Sequence, residues 1–365
     1  MVDQITDRLL TGAWVAHTNG SFVPRDPQDG TASIGIALAT QEFLKLVAQE
    51  IDPTIRRNES RATNYEDLYS ACLQVVQHEQ IEIPNPIIER FVRHIEVASA
   101  SLSSGVKPHV AGSSFASLTD KAVDLIQWAV FAGLSGATVP RDMDAISGVA
   151  SAVDELDVFS LNHDLLIEAQ LAGAGIAFSD GFSKKRADFR LFDWTWKKDS
   201  ATTRLYKLHG SVDWYLFRFK SEWDQYASVA VDPERCTDDD GNPLDLLEVK
   251  PRFLTGTTVK EQAYGIDLFG EIFLEFRERL SKHNTLICCG YGWGDKGINV
   301  RLNQWLRDQK KNRLVILHND ASDDLSAKRF WASRWDRYEK AGKVVLVSKW
   351  LSECSVADLD LFFDS

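Results

Sequence analysis

Thr285-Leu286-Ile287-Cys288-Cys289-Gly290-Tyr291-Gly292-Trp293-Gly294-Asp295 begins as an apolar run and ends as a loop in which three glycines alternate with larger side chains. The run reads as a strand. Residues 298–310 then repeat apolar positions at helical spacing, and residues 314–317 form a second short apolar run. Similar runs stand at 156–161, 204–208 and 344–347, with helical patterns at 164–171, 327–338 and 356–362. Short apolar runs alternating with helices are the signature of a parallel sheet. Residues 222–248, with Asp238-Asp239-Asp240-Gly241-Asn242-Pro243, read as an irregular excursion between two strands.

The first half has a different character. Residues 8–13 read as a short strand leading into a loop that carries Asn19-Gly20, Pro24, Pro27 and Asp29-Gly30. Phe43, Leu44, Val47 and Ile51 predict a helix stopped by Pro53. Helical spacing returns at 65–76, 87–98 and 120–134, with Pro84-Asn85-Pro86 as a break. The expected fold is therefore α/β, a doubly wound, Rossmann-like, mostly parallel sheet with a helical insertion. One domain spans 1–365, with the insertion at about 40–145 and the sheet core drawn from about 5–20 and 150–350.

The composition narrows the function classes. Apolar residues make up 44% and charged residues 26%, the balance of a globular chain rather than a disordered or fibrous one. A net charge of −12 argues against a broad grip on nucleic acid, and Lys184-Lys185-Arg186 and Lys310-Lys311 read as solvated faces. No apolar stretch approaches the roughly 20 residues of a membrane span, and Met1-Val2-Asp3-Gln4 does not open a secretory signal. Five cysteines without a C-x-x-C pair indicate neither a disulfide framework nor a structural zinc site. The expectation is a cytoplasmic protein without a metal.

In a doubly wound sheet, ligands sit at the carboxyl ends of the strands, where four groups stand out. Asn162-His163-Asp164 follows the first of these runs, and a helix cap is the alternative role for Asn162 or Asp164. Leu208-His209-Gly210-Ser211 places a titratable ring beside a glycine, which a structural turn would also explain. The Gly290–Gly294 loop offers backbone amides at a helix start, the arrangement that meets phosphate or ribose, although it lacks G-x-G-x-x-G spacing. His318-Asn319-Asp320 ends the next strand with hydrogen-bonding side chains, again with a cap as the alternative.

The order of these groups resembles the sirtuin family, and more closely its zinc-free branch found in bacterial anti-phage NAD hydrolases. The resemblance rests on Asn162-His163-Asp164-Leu165-Leu166-Ile167-Glu168, Leu208-His209-Gly210, Gly290-Tyr291-Gly292-Trp293-Gly294-Asp295 and Asn319, with further matches at Asn64-Tyr65-Glu66-Asp67-Leu68 and Ser179-Asp180-Gly181-Phe182. It implies an NAD substrate, with Asn162 holding the nicotinamide ribose and the attacking water, and Asp164 supporting the pocket. It makes His209 the general base, and Gly210, Gly290, Tyr291 and Asn319 contacts of the cofactor.

Gly12 and Ala13 correspond to the family's phosphate loop, Gly-Ala-Gly-x-Ser, but this chain reads Gly12-Ala13-Trp14-Val15-Ala16. Trp14 would crowd a phosphate there, and Ala16 lacks the hydroxyl. Without the family's zinc cysteines, protein deacylation is the less favoured chemistry. The implied protein is an NAD hydrolase acting in abortive infection, oligomeric, and held in check by a protein partner or an activating nucleotide signal. The alternative is a weakly active or inactive nucleotide-binding regulatory subunit. Eleven tryptophans, Trp194 and Trp196 among them, are candidates for partner surfaces as well as for core.

Overall fold

The helical repeat and the strand repeat separate along this chain into two units. The structure, a computed structural model, describes residues 1–26, 34–80, 86–107, 113–136, 143–183, 188–196, 200–219, 223–238, 240–256, 260–319, 330–331 and 334–363. One unit comprises Met1–Gly136, Leu246–Pro251 and Thr255–Val259, and the other Ala137–Asp245, Arg252–Leu254 and Lys260–Ser365. Residues 5–20 thus group with the helices rather than with the parallel strands. Lys184-Lys185-Arg186 and Asp320 lie outside the described residues.

The first unit opens with α1 (Val2–Thr11), where a strand was expected over residues 8–13. Its buried residues Ile5 and Leu9 are four apart, the helical repeat, which outweighs the local Leu9-Leu10 pair. Gln41 Nε2 donates to the carbonyls of Leu9 (2.9 Å) and Gly12 (2.8 Å), serving groups that the helix end leaves open. The chain then forms an antiparallel hairpin, β1 (Trp14–Ala16) and β2 (Phe22–Pro24).

Next come α2 (Ile34–Glu59), α3 (Tyr65–Gln80), α4 (Glu89–Ala98), α5 (Ala100–Ser103) and α6 (Ser114–Leu134). Helix α2 runs through Pro53 instead of stopping there. Pro53 and Gln49, whose carbonyl loses its partner, are both exposed, so water can serve that carbonyl. The Asn64-Tyr65-Glu66-Asp67 stretch is a reciprocal cap for α3: Asn64 Oδ1 accepts from Glu66 N–H (2.9 Å), and Asp67 Oδ2 accepts from Asn64 N–H (3.0 Å). Helix α6 is the most deeply buried, with Leu118, Leu125, Ile126, Ala129 and Val130 all at zero exposure.

The second unit carries the parallel strands. Its elements are α7 (Asp144–Ala152), β3 (Leu156–Ser160), α8 (Leu166–Gly173), β4 (Phe189–Leu191), β5 (Thr203–Lys207), β6 (Trp214–Phe219) and β7 (Trp223–Val229). After the two-residue β8 (Asp245–Leu246) follow α9 (Lys260–Ala263), α10 (Asp267–Leu280), β9 (Thr285–Cys289), α11 (Lys296–Asp308) and β10 (Arg313–Leu317). A short helix, Trp335–Lys340, leads to β11 (Val344–Val347).

Strand β3 pairs parallel with β5, and β9, β10 and β11 form a parallel sheet with β10 in the centre. Among the described residues these are two separate sheets, not one continuous doubly wound sheet. The α/β class stands. On β10, Leu314 and Ile316 join a core containing Ile272, Phe276, Leu302 and Trp305, while Val315 and Leu317 join another with Ala145, Val149 and Leu359. A central strand covered on both faces needs no polar alternation, which is why residues 314–317 are apolar throughout.

The expected excursion over 222–248 is instead partly ordered. Strand β7 pairs antiparallel with both β6 and β4. Residues 356–362, expected as a helix, are two short 3₁₀ turns. Trp194 is half exposed and Trp196 is buried against Phe192 and Tyr206. Among the described residues, no helix is long and apolar enough to cross a membrane.

Candidate functional site

Because β3 and β5 run parallel and in register, with Ser160 opposite Lys207, the segments that leave their carboxyl ends emerge side by side. Leu208 N–H donates to the Ser160 carbonyl (2.9 Å), and Val212 N–H to the His163 carbonyl (2.9 Å). The loop carrying Asn162 is thereby tied to the turn carrying His209. A third tie is the buried Lys207, whose ammonium donates to the Asp164 carbonyl and pairs with Glu168 at 3.1 Å. Burial raises the Glu168 carboxyl pKa, against the pull of Lys207.

The side chains on the Asn162 loop divide by exposure. Asn162 is exposed, and its backbone N–H donates to Ser160 Oγ (3.1 Å). Asp164 is buried and its Oδ1 accepts from the N–H of Leu166, the first residue of α8 (3.2 Å), although the cap position itself is Leu165. His163 lies between them, its ring 4.8 Å from that of Phe253 and 6.1 Å from that of His209. Burial, with the nearby His209 and two lysines, holds its pKa well below the imidazole value, so it stays neutral. Its Nδ1 is buried and has no hydrogen-bond partner among the described residues.

His209 is 3% exposed. Its Nε2 lies 3.0 Å from Asp295 Oδ2 and 2.5 Å from Tyr264 Oη, and the Tyr264 hydroxyl in turn donates to Asp295 Oδ2 (2.6 Å). Tyr264 is fixed by stacking on Phe273, with ring centroids 4.1 Å apart. Gly210 has φ +78°, and a Cβ there would come within 2.3 Å of the Arg252 carbonyl. Leu254 N–H also donates to the His209 carbonyl (2.7 Å), so residues 252–254 clamp the turn from one side.

The glycine loop after β9 supplies the third side. Gly290 has φ +65°, and Trp293 takes φ +61°, unusual for a bulky residue. Burial of the Trp293 ring, parallel to Phe330 at 5.7 Å, holds that conformation in place. The Tyr291 hydroxyl donates toward Asn299 Oδ1 (2.9 Å) and the Asp295 carbonyl (3.0 Å), so its polar end braces the loop. Asp295 caps α11 by accepting from Ile298 N–H through Oδ1 (3.0 Å), leaving Oδ2 for His209 and Tyr264. Asn319 is exposed and follows β10, whose last residue pairs with Cys289, so it stands at the strand end beside the glycine loop.

Burial pushes the Asp295 carboxyl up, but hydrogen bonds from His209, Tyr264 and Ile298 overcome that and hold its pKa at about 2. A depressed carboxylate pKa contributes stability above its unfolded value near 3.9, and the contribution is lost as pH falls through the folded value. The expected contribution is about 2 kcal/mol, disappearing between roughly pH 4 and pH 2. Urea midpoints at pH 6 and pH 3 check this. The fall between them should be smaller in Asp295→Asn, and an equal fall would show that Asp295 is not the group responsible.

Asn162, Asp164, His209, Gly210, Gly290, Tyr291 and Asn319 all belong to the unit with the parallel strands. Gly12 and Ala13 belong to the other. They follow a helix instead of a strand. Gly12 N–H donates to the Arg8 carbonyl (2.9 Å) and its own carbonyl is taken by Gln41, so the expected strand-to-amide-loop cradle is not formed there. Trp14 is buried, its indole N–H on the Arg8 carbonyl (3.0 Å).

Sequence reasoning passed over Tyr264, Lys207 and the role of Asp295. An Asp before a helical pattern is a readable cap signal, but Tyr264 sits in an unpatterned stretch with no signal at all. Among the described residues, no group of three or more His, Cys, Asp or Glu is placed to hold a metal ion. The five cysteines are free thiols.

A comparison with curated proteins gives no match to this chain. Residues 157–335, which include the ends of β3, β5, β9 and β10 and the triad of His209, Tyr264 and Asp295, match the family model of the SIR2-like domain, so this segment of the chain is similar to SIR2-like domains.

Proposed function

We propose that this protein cleaves NAD to nicotinamide and ADP-ribose, as the effector of a bacterial anti-phage abortive-infection system. The observation that carries the reading is the meeting of an exposed Asn162, a buried His209 and a glycine loop at parallel strand ends, within the segment similar to SIR2-like domains. SIR2-like domains are in general NAD-dependent.

Breaking the bond from nicotinamide to ribose needs little push, because the cationic nicotinamide leaves as a neutral molecule and the ribose passes through an oxocarbenium-like state. The residues mainly position. Asn162 holds a water against one face of C1′, and His209 takes one of its protons as the new C–O bond forms. Asp164 and Lys207 keep the Asn162 loop in place, while Gly210, Gly290, Tyr291 and Asn319 face the ADP-ribose portion. Uncontrolled loss of NAD would kill the cell, so the activity is gated by a protein partner or nucleotide signal, in an assembly.

A second reading, a weakly active or inactive nucleotide-binding regulatory subunit, is favoured by the chain around Gly12. Its amide already closes a helix, and Trp14 is buried beside it. Measuring nicotinamide release from NAD, by the chain alone and with the proteins encoded beside it, separates the two. Release abolished by His209→Ala supports the hydrolase. Binding of NAD or ADP-ribose without release under any of these conditions selects the regulatory subunit, and NAD consumption only on addition of an acylated peptide selects a deacylase.

A further inference from the structure

Helix α11 presents a glycine where helix formation itself does not ask for one. Gly297 is the second residue of α11, and its φ lies outside the left-handed region, so alanine would suit the backbone at least as well. The space beside it is another matter. A Cβ at 297 would stand 2.6 Å from Cε2 and 2.8 Å from Cδ2 of Tyr264. That ring cannot swing clear at small cost, because it is buried and stacked on Phe273, with centroids 4.1 Å apart and planes 7° apart. One turn further along α11, the Arg301 guanidinium lies over Phe273, 5.6 Å from its centroid. Gly297 and Arg301 share a face of the helix, and the Tyr264–Phe273 pair packs along that face.

Where the Tyr264 ring is seated decides what its hydroxyl meets. In this position Oη donates to Asp295 Oδ2 (2.6 Å) and lies 2.5 Å from His209 Nε2. Asp295 is the cap of the same helix, so α11 both carries the carboxylate and leaves the gap that admits the tyrosine.

We infer that Gly297 and Tyr264 are positioning residues for His209: the missing side chain at 297 seats the Tyr264 ring, and the hydroxyl of that ring holds Asp295 and His209 together. The inference rests on the hydrolase reading only for its link to turnover.

Gly297→Ala is the informative substitution, because it leaves Tyr264, Asp295 and His209 intact and adds one methyl group that a helix favours. In ring-¹⁵N-histidine-labelled full-length protein the His209 signals are assigned by their absence in His209→Gln, and they report the surroundings of the ring without any substrate. Gly297→Ala should shift these signals, and so should Tyr264→Phe, which removes only the hydroxyl. In a Tyr264→Ala background, adding Gly297→Ala should shift them no further and should cost no further fall in the urea midpoint. Tyr264→Val serves where the alanine variant does not fold. A glycine that only supports the helix would give the other pattern, the same effect with and without the tyrosine.

In turnover, Gly297→Ala and Tyr264→Phe should each lower the kcat of nicotinamide release by about 10²-fold, the scale of an ångström of misplacement, with KM within about threefold. A Gly297→Ala chain that folds only once Tyr264 is removed supports the inference as well. His209 signals left unmoved by Gly297→Ala, or moved equally when Tyr264 is absent, overturn it, as does a kcat within about threefold of the unsubstituted protein in both variants. If the unsubstituted protein releases no nicotinamide, the hydrolase reading fails on its own, while the His209 signals still decide whether Gly297 and Tyr264 position the ring.

Discussion

Replacing His209 with alanine should lower nicotinamide release from NAD by about 10²–10⁴-fold, the range that a positioned proton acceptor contributes. The ring is buried, so its removal has a structural side that must be separated from the chemical one. Asp295 keeps two of its hydrogen-bond donors, Ile298 N–H and the Tyr264 hydroxyl, so the carboxylate is not stranded. His209→Gln fills more of the space and serves as the better-packed control. Asn162→Ala offers a second view of the same chemistry, because Asn162 is exposed and its loss should shift stability by no more than about 0.5 kcal/mol. Turnover and the denaturant midpoint measured on the same samples decide the matter. Wild-type-like release from either variant removes that residue from the mechanism, and an unfolded His209→Ala passes the question to His209→Gln.

Substituting alanine for Gly210 should destabilise the protein by about 3–5 kcal/mol, through two additive costs. The first is backbone conformation, since φ +78° lies in the left-handed region that L side chains avoid. The second is collision: the new Cβ would meet the Arg252 carbonyl oxygen at 2.3 Å and the Phe253 Cα at 2.9 Å, and main chain cannot turn aside as a side-chain end can. Gly290 is the natural comparison. Its φ is +65°, but none of the described residues lies within 4 Å of an added Cβ, so Gly290→Ala should cost only about 1–2 kcal/mol. Urea unfolding of the two variants checks the contrast. Equal losses would mean that residues 252–254 do not clamp the His209 turn, and the turn would then depend on the Leu208, Val212 and Lys207 ties.

Both predictions concern a turn that the sequence marks with two residues, His209 and Gly210, without showing why glycine is needed. The close approach comes from Arg252 and Phe253, some forty positions along the chain. The same holds for the surroundings of His209. Asp295 was visible as part of a glycine-loop motif, but its bond to His209 spans 86 positions, and Tyr264 lies between them in a stretch without periodicity.

What the sequence determined by itself was local repeat and local chemistry. Apolar runs at 285–289 and 344–347 coincide with β9 and β11, because side chains from both faces of these strands pack, partly buried, on a core and so leave a continuous apolar record. The Asn162 loop and the His209 turn were legible as strand ends because each follows a short segment of apolar residues, Val158-Phe159 in β3 and Leu205-Tyr206 in β5. Residues 8–13 misled because two adjacent leucines look alike in either repeat, and only packing on Ile5 and Gln41 makes the segment a helix. Pro53 misled because whether a lost carbonyl partner is tolerated depends on which face of α2 meets water. Strand β7 went unread because an antiparallel partner is chosen by pairing and not by composition. Tertiary structure alone decided that, among the described residues, the parallel strands form two sheets and that Gly12 closes a helix. It also brought a capping aspartate and an unmarked tyrosine to one nitrogen of His209, since hydrogen-bond partners distant in sequence are set by how elements pack and leave no periodic trace in the chain.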